Sequence, residues 1–295
     1  MSRRPEPPVR PAVRVTVAQL QVGTDRGANL EVARDAVREA ARVRADVVVL
    51  PEYASAFDPR GVGPELAEPL DGPFVTALRE EAARSGVAVL AGTTLPADED
   101  EDEDEDEDGD ADGDRAGRPR RAVNAVVAVT ADGGLAGVYR KVHLYDAFGQ
   151  RESDRFVPGP ADAPPLVLDV AGLRFGVMTC YDLRFPESAR RLVDAGAHVL
   201  VVPAAWAAGP LKATHWRVLA TARAVENTSA VVAVGQAGRG VVGRSLVVGP
   251  DGVVGLELDE TPQVRTVDLD ADALAGVRER NPSLANRRYA VVPRA

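Results

Sequence analysis

Apolar residues along the chain follow two periods, one typical of β-strands and the other typical of helices. The runs from Val13 to Gln19 and from Asp46 to Glu52 are short and rich in valine, which is typical of buried strands. Between them, the segment from Asn29 to Arg44 repeats apolar residues such as Leu30 and Val37 along one helical face. The first part of the chain therefore has the strand–helix–strand order of an α/β protein.

The same alternation continues towards the C-terminus. Further strands are predicted over residues 87–92, 122–130, 135–140, 166–170, 173–179, 198–203, 230–234, 245–248, 253–258 and 264–268, and helices over 73–85, from about 186, over 211–227 and over 270–280. No linker separates these segments. We therefore predict one α/β domain over residues 12–295.

Most of the acidity of the chain belongs to one segment. Fourteen acidic residues and no basic residue lie between Asp98 and Asp114, and without them the net charge of −10 becomes +4. Such a run repels itself and buries no apolar surface, so we expect a disordered loop at about residues 97–118. Residues 1–11 contain arginine and proline but no apolar run typical of a signal peptide, so we expect a disordered tail there.

Composition narrows the classes of function. The sequence has no arginine stripe with interleaved aromatic residues, so nucleic-acid binding is not supported. The longest apolar stretch, Val199 to Leu211, is too short for a membrane span and is broken by proline and glycine. A single cysteine excludes an internal disulfide, and a cytoplasmic protein is expected. Of the 35 basic residues only Lys141 and Lys212 are lysines, which hints that an ammonium group is needed there.

The single cysteine is a candidate nucleophile. Cys180 ends a predicted strand and precedes a sharp turn before the helix at Pro186. This order projects a side chain at the edge of a sheet, where the backbone N–H of Tyr181 can face an oxyanion. Because a lone cysteine is more often a small buried core residue, this segment alone leaves both interpretations open.

A nucleophilic thiol needs a base or a cation beside it, since a free thiol is mostly protonated at neutral pH. Glu52 follows Pro51 at the end of an apolar strand, and Lys141 follows the strand predicted over residues 135–140. The three histidines are interpreted as structural. A carboxylate at a strand end is often simply exposed, so the position of Glu52 does not by itself identify it as the base.

Three segments together resemble the signatures of the nitrilase, or carbon–nitrogen hydrolase, superfamily. They are PEY, YRKVHLYD around Lys141, and CYDLRFPE from Cys180, in the order of that family. The resemblance extends to ESDRFVPG, which bears Glu152, to PAAW, which holds Ala205 and Trp206, and to NRRYA near the C-terminus.

This resemblance implies a four-layer αββα sandwich, a homodimer or higher homo-oligomer, and a small-molecule amide substrate, with no metal or organic cofactor. The implied catalytic residues are Glu52 as base and acid, Cys180 as nucleophile, Lys141 at the oxyanion and Glu152 beside Lys141. The implied substrate-binding residues are Tyr181, Arg184, Ala205 and Trp206.

The Tyr-Asp pair after the cysteine resembles amidase-like branches more than true nitrilases, which favours a carboxamide of a small carboxylic acid as substrate. Arg184 or Arg223 could bind its carboxylate. Pairing of Arg184 with Glu187 or Asp182, and of Arg223 with the acid three residues along, is nevertheless favoured. An N-carbamoyl amine hydrolase, a nitrilase, an acyltransferase and a non-catalytic binding protein on this scaffold stay open as alternatives.

Overall fold

The structure is a computed structural model that describes residues 12–98 and 120–294. Within these ranges the chain forms fourteen strands and five α-helices. The strands are β1 (Val13–Gln19), β2 (Val47–Val49), β3 (Ala88–Pro96), β4 (Ala122–Val129), β5 (Leu135–Arg140), β6 (Asp146–Ala147), β7 (Gln150–Arg151), β8 (Val167–Val170), β9 (Leu173–Val177), β10 (Val199–Ala204), β11 (Ala230–Gly235), β12 (Leu246–Val248), β13 (Val254–Glu257) and β14 (Gln263–Leu269). The helices are α1 (Arg26–Arg42), α2 (Pro73–Ser85), α3 (Pro186–Asp194), α4 (Lys212–Asn227) and α5 (Ala271–Arg280).

Every strand and helix predicted from the sequence is present, with ends shifted by up to four residues. α1 begins three residues earlier than predicted, because Asp25 caps it by accepting a hydrogen bond from the Ala28 N–H. β3 extends to Pro96 because β4 pairs with it from Val89 to Pro96. The predicted tail at residues 1–11, and the acidic loop apart from residues 97 and 98, lie outside the described residues.

Twelve of the strands form two six-stranded sheets. The order is β14-β1-β2-β3-β4-β5 in the first sheet and β13-β12-β11-β10-β9-β8 in the second. Strands β1, β2 and β3 are parallel to one another, as are β9, β10 and β11. The remaining pairs in both sheets are antiparallel.

Alternate residues of the central strands point to opposite faces, which sets the order of the layers. Val47 and Val49 of β2 and Val201 of β10 belong to an apolar core between the two sheets. Val48 packs instead with apolar residues of α1 and α2, and Leu200 packs with those of α3 and α4. Both faces of each sheet are therefore covered, and the expected αββα sandwich is confirmed. Among the described residues, no helix combines the length and apolarity that a membrane span needs.

The parallel strands bring several candidate residues to one edge of the sandwich. Glu52 follows β2, Lys141 comes directly after β5, and Cys180 follows β9. β5 runs in the direction of β2 because β4 lies antiparallel between β3 and β5. The two sheets are joined there by the Gln236 side chain, whose amide Nε2–H donates to the backbone oxygen of Glu52 at 2.7 Å.

Candidate active site

A cavity of about 480 Å³ lies at this edge. The cavity is lined by all eight catalytic and substrate-binding residues that the family resemblance implied: Glu52, Lys141, Glu152, Cys180, Tyr181, Arg184, Ala205 and Trp206. Four of them, Glu52, Lys141, Glu152 and Cys180, are called the reaction cluster below.

Lys141 holds the two carboxylates of the reaction cluster together. Its Nζ donates to Glu52 Oε1 at 3.0 Å and to the two oxygens of Glu152 at 3.0 and 2.8 Å. Lys141 is only 2% exposed and Glu52 only 1%. The second oxygen of Glu52 accepts the backbone N–H of Ala205 at 2.6 Å. Buried charges without such partners would be costly, so this pairing makes the cluster possible.

The pairing also fixes the protonation of Lys141 and Glu152. Burial by itself would lower the pKa of Lys141, but the negative charges of Glu152 and Glu52 outweigh burial and raise that pKa well above its ordinary value. Burial would likewise raise the pKa of Glu152, but the charge and hydrogen bonds of Lys141, with hydrogen bonds from Tyr53 and Asn124, lower it overall. Lys141 is therefore an ammonium and Glu152 a carboxylate at neutral pH.

Asn124 and Tyr53 complete the network around the two carboxylates, and sequence reasoning missed both. The amide nitrogen of Asn124, on β4, lies 2.7 Å from Glu52 Oε1, 2.9 Å from Glu152 Oε1 and 2.7 Å from the Tyr53 hydroxyl. Tyr53 in turn donates to Glu152 Oε1 at 2.7 Å. A buried asparagine in the valine-rich β4 was a usable signal, because a buried amide needs polar partners.

Gly92 on β3 is a further residue that the site requires. A Cβ at this position would collide with the Glu52 Cα and would lie 2.6 Å from the backbone oxygen of Pro51. A glycine inside a strand marks such a close approach of two backbones, so the sequence carried a signal here as well.

Cys180 is presented on a strained backbone. It starts a short 3-10 turn that extends to Arg184, and its φ of +46° lies in the left-handed region. Residues other than glycine adopt this backbone conformation at a cost of about 1–2 kcal/mol, and such strain is concentrated at functional sites. Tyr53, which follows Glu52, has a φ of +56°.

The environment of Cys180 keeps its thiol protonated. Burial raises the pKa of Cys180 well above its ordinary value, and the charge of Glu52 and a hydrogen bond with Glu52 raise it further, whereas Lys141 lowers it. A protonated thiol becomes a good nucleophile only when a base takes its proton, and the side chain of Glu52 lies beside the sulfur.

Asp182 fixes the turn that bears Cys180. This fully buried carboxylate accepts the backbone N–H of Thr179 at 3.0 Å, the Tyr139 hydroxyl at 2.6 Å and the His143 backbone N–H at 3.1 Å. His143 Nδ1 lies 2.8 Å from the same carboxylate. Asp182 thus connects the nucleophile turn to the segment that bears Lys141, and the structural interpretation of His143 agrees with this contact.

Arg184 does not form the ion pair that the sequence favoured. Asp182 is bound by other groups, and Arg184 pairs with no carboxylate among the described residues. Its guanidinium carbon lies 4.9 Å from the centre of the Trp206 ring and 5.8 Å from that of Tyr181. The guanidinium Nε and Nη2 are buried and have no hydrogen-bond partner.

Arg223, by contrast, is structural as predicted. It pairs with Glu226 at 2.9 Å and donates to the backbone oxygen of Leu183 at 3.0 Å. Only Arg184 of the two candidate arginines therefore faces the cavity.

A second lysine lines the cavity although the sequence did not place it there. Nζ of Lys212 donates to the Tyr145 hydroxyl at 2.7 Å and lies 3.6 Å from the centre of the Phe148 ring. Phe148 forms the tip of the β6–β7 hairpin and also contacts Arg184. Arg184 and Lys212 are called the cation pair below.

Within the described ranges, no three His, Cys, Asp or Glu side chains are arranged so that they could hold a metal ion. The polar groups of the cavity include the two carboxylates, the ammonium and the thiol of the reaction cluster and the two cations of the cation pair. Such a set fits nucleophilic attack on a carbonyl or nitrile carbon with proton transfer by a carboxylate.

Comparisons with known proteins agree with this geometry. The sequence model of the carbon-nitrogen hydrolase family matches residues 14–279. The chain is similar to the deaminated glutathione amidase of Escherichia coli O157:H7, with 36% identity over 89% of this chain and 92% of that protein.

Two solved structures have the same fold. One is a carbon-nitrogen hydrolase superfamily protein of Xanthomonas campestris with an arsenic adduct in its active site, with a TM-score of 0.77, 27% identity and coverage of 96% of this chain and 99% of that chain. The other is a variant of the Nesterenkonia sp. AN1 amidase carrying the acetamide moiety of fluoroacetamide covalently at its active-site cysteine, with a TM-score of 0.69, 27% identity and coverage of 96% and 98%. Together with the family match, these similarities lead to one conclusion: the chain belongs to the carbon-nitrogen hydrolase family of the nitrilase superfamily.

Proposed function

We propose that this protein hydrolyses a carboxamide of a small carboxylic acid to the acid and ammonia through a thioester on Cys180. The observation that carries the proposal is the buried contact of Lys141 with both Glu52 and Glu152, next to the only cysteine of the chain. The relatives named as amidases support the same chemistry.

The first half-reaction forms the thioester. Glu52 takes the thiol proton of Cys180 as the sulfur attacks the amide carbon, and the carbonyl oxygen becomes an oxyanion. The ammonium of Lys141 and the backbone N–H of Tyr181 stabilise this oxyanion. Glu52 then gives the proton to the amide nitrogen, the C–N bond breaks, and ammonia leaves.

The second half-reaction regenerates the enzyme. Glu52, again a carboxylate, takes a proton from a water molecule as its oxygen attacks the thioester carbon. The C–S bond then breaks, and the proton held by Glu52 returns to the sulfur of Cys180. Glu152 keeps Lys141 charged and in position throughout, because its carboxylate accepts two hydrogen bonds from Nζ.

The unpaired guanidinium edge of Arg184 is evidence that the substrate carries a carboxylate. Elsewhere in this protein, Arg14 uses Nε and Nη2 to bind both oxygens of Asp268 at 2.7 and 3.0 Å. The same two nitrogens of Arg184 are the ones without a partner. This edge of a guanidinium matches a carboxylate, so we assign it to the distal carboxylate of the substrate. Tyr181 and Trp206 hold the guanidinium in place by ring contacts, and the Ala205 N–H orients Glu52.

Replacement of the nucleophile tests the proposal. Cys180→Ala is expected to lower ammonia release from succinamate and glutaramate by at least about 10³-fold, because no other group forms the thioester. Intact mass measurement of the wild-type protein during turnover should detect an acyl adduct, which Cys180→Ala should lack. Ammonia release that persists in purified Cys180→Ala would overturn the proposal, and turnover of nitriles without amides would favour a nitrilase.

Assembly and cellular location stay predictions. A homodimer or higher homo-oligomer follows from the family resemblance, and sedimentation of the full chain measures it. The single domain, the cytoplasmic location and the lack of a cofactor are likewise part of the proposal.

A further inference from the structure

Lys212 is buried against aromatic rings beside the reaction cluster. Only 6% of the residue is exposed, and it lines the same cavity as Cys180. Its ammonium contacts the Tyr145 hydroxyl at 2.7 Å and the faces of Tyr145 and Phe148, with 4.9 and 3.6 Å to the ring centres. These groups offer a single hydrogen-bond acceptor, whereas an ammonium has three hydrogens to donate.

The position of Lys212 is electrostatically unfavourable. It is the first residue of α4, whose first turn contains no acidic residue, and the N-terminus of a helix repels a cation. Lys212 forms no ion pair with any described carboxylate, in contrast to Lys141, which has two. Burial and then the charge of Arg184 lower the pKa of Lys212. The ring contacts and the hydrogen bond to Tyr145 stabilise this ammonium in part, but no described carboxylate balances its charge.

Arg184, the other member of the cation pair, also lacks a described counter-ion. Arg184 has two buried guanidinium nitrogens without a hydrogen-bond partner, and its positive charge acts on Lys212. Two neighbouring cations that lack a described counter-ion are stabilised together when one anion contacts both. The reaction cluster cannot supply that anion, because Lys141 already binds its two carboxylates.

We propose that Lys212 is a second anion-binding residue that receives the acidic end of the substrate together with Arg184. The cation pair thus selects amides of acids over neutral amides of equal length. This assignment rests on the proposed amide hydrolysis. It adds Lys212 to Arg184 as a residue that distinguishes acidic from neutral amide substrates.

Substitution of Lys212 by methionine, which keeps the length and apolar stem of the side chain, tests the assignment. The loss of one charge-assisted hydrogen bond is expected to raise KM for succinamate about 10- to 100-fold. KM for butyramide, its neutral counterpart, should change less than about threefold, and so should kcat for both. The control is Arg217→Met, which removes a cation of the same helix that pairs with Glu257 on the surface. It should leave both KM values unchanged.

A binding measurement separates this assignment from the proposed reaction. Calorimetry of succinate with Cys180→Ala, and with Cys180→Ala combined with Lys212→Met, reports the anion site without turnover. The double variant should bind succinate about 10- to 100-fold more weakly. Equal succinate affinity in the two proteins, or a KM shift shared by succinamate and butyramide, overturns the role of Lys212. Absence of ammonia release by the wild-type protein, with succinate binding that depends on Lys212, overturns the proposed reaction and leaves the anion site supported.

Discussion

In the reaction cluster, the ammonium of Lys141 donates to two carboxylates, whereas no described carboxylate contacts Lys212 or Arg184 of the cation pair. Lys141 and Lys212 are almost fully buried at one cavity, and two guanidinium nitrogens of Arg184 are buried there as well, so all three cations lose hydration. A buried charge that is fully paired is stable in the protein alone, while an unpaired one is stabilised by a molecule from outside. The comparison separates the residues that we propose for the reaction from those that we propose for substrate binding.

Glu152→Gln removes an ion pair from the reaction cluster, and of the three experiments that follow we expect it to have the largest effect. It removes one of the two carboxylates that hold Lys141 while keeping the shape of the side chain. We expect kcat for succinamate to fall about 10²-fold, a size typical of a disturbed oxyanion contact, with little change in KM. Steady-state ammonia release measures both constants.

Glu81→Gln is the matched control for that experiment. The side chain of Glu81 is 4% exposed and that of Glu152 is 9% exposed; Glu81 binds two arginines, Arg38 and Arg84, but it lies on α2 outside the cavity. Its substitution should lower Tm and leave kcat unchanged. If Glu81→Gln lowers kcat as much as Glu152→Gln does, the effect reflects general stability and not the position of Lys141.

The pKa of Cys180 tests the charges of the reaction cluster at equilibrium, and we expect its shifts to be smaller than the change in kcat of Glu152→Gln. Since the Glu52 charge raises the pKa of Cys180 and the Lys141 charge lowers it, Glu52→Gln should lower that pKa and Lys141→Met should raise it. Cys180 is the only cysteine, so the ultraviolet absorbance of the thiolate against pH follows this residue alone. Shifts in the same direction for both variants would contradict the arrangement of charges around the sulfur.

Phe148→Ala tests the cation pair and should have the smallest effect. Phe148 is 67% exposed and adopts a φ of +56°, yet its ring covers Lys212. The cation–π contact, worth about 0.5–1 kcal/mol, competes with the substrate carboxylate for the two cations. Without the ring, the carboxylate should bind more tightly, and KM for succinamate should fall about two- to fivefold. KM for butyramide should not change. An increase of KM for succinamate would mean that the ring binds the substrate.

The sequence predicted three members of the reaction cluster, Glu52, Lys141 and Cys180, because each of them follows a regular strand. β2 is a continuous apolar run and β5 and β9 are largely apolar, and Pro51, Lys141 and Cys180 mark where these segments end. Parallel strands bring such ends to one edge, so local patterns were sufficient to bring distant residues together. The long insertion between β3 and β4 did not obscure this pattern, since Pro96 and Ala122 still pair.

Contacts that depend on packing could not be predicted in the same way. The β6–β7 hairpin has two residues in each strand, too few for a periodic signal. It places Phe148 over Lys212, two residues that are far apart in sequence. Arg184 was assigned an ion pair because acids lie near it in sequence, but Asp182 turns towards Tyr139 and Thr179 instead. Proximity along the chain was a poor guide where the backbone turns sharply.

The scarcity of lysine has a practical consequence. The two lysines of the chain, Lys141 and Lys212, both line the cavity and are almost fully buried, so the protein surface carries no lysine amine. Reagents that acylate amines therefore have no lysine target on the outer surface. Slow acylation at Lys212 that succinate suppresses would report occupancy of the cavity, and coupling of the protein to a support through surface lysines is not possible.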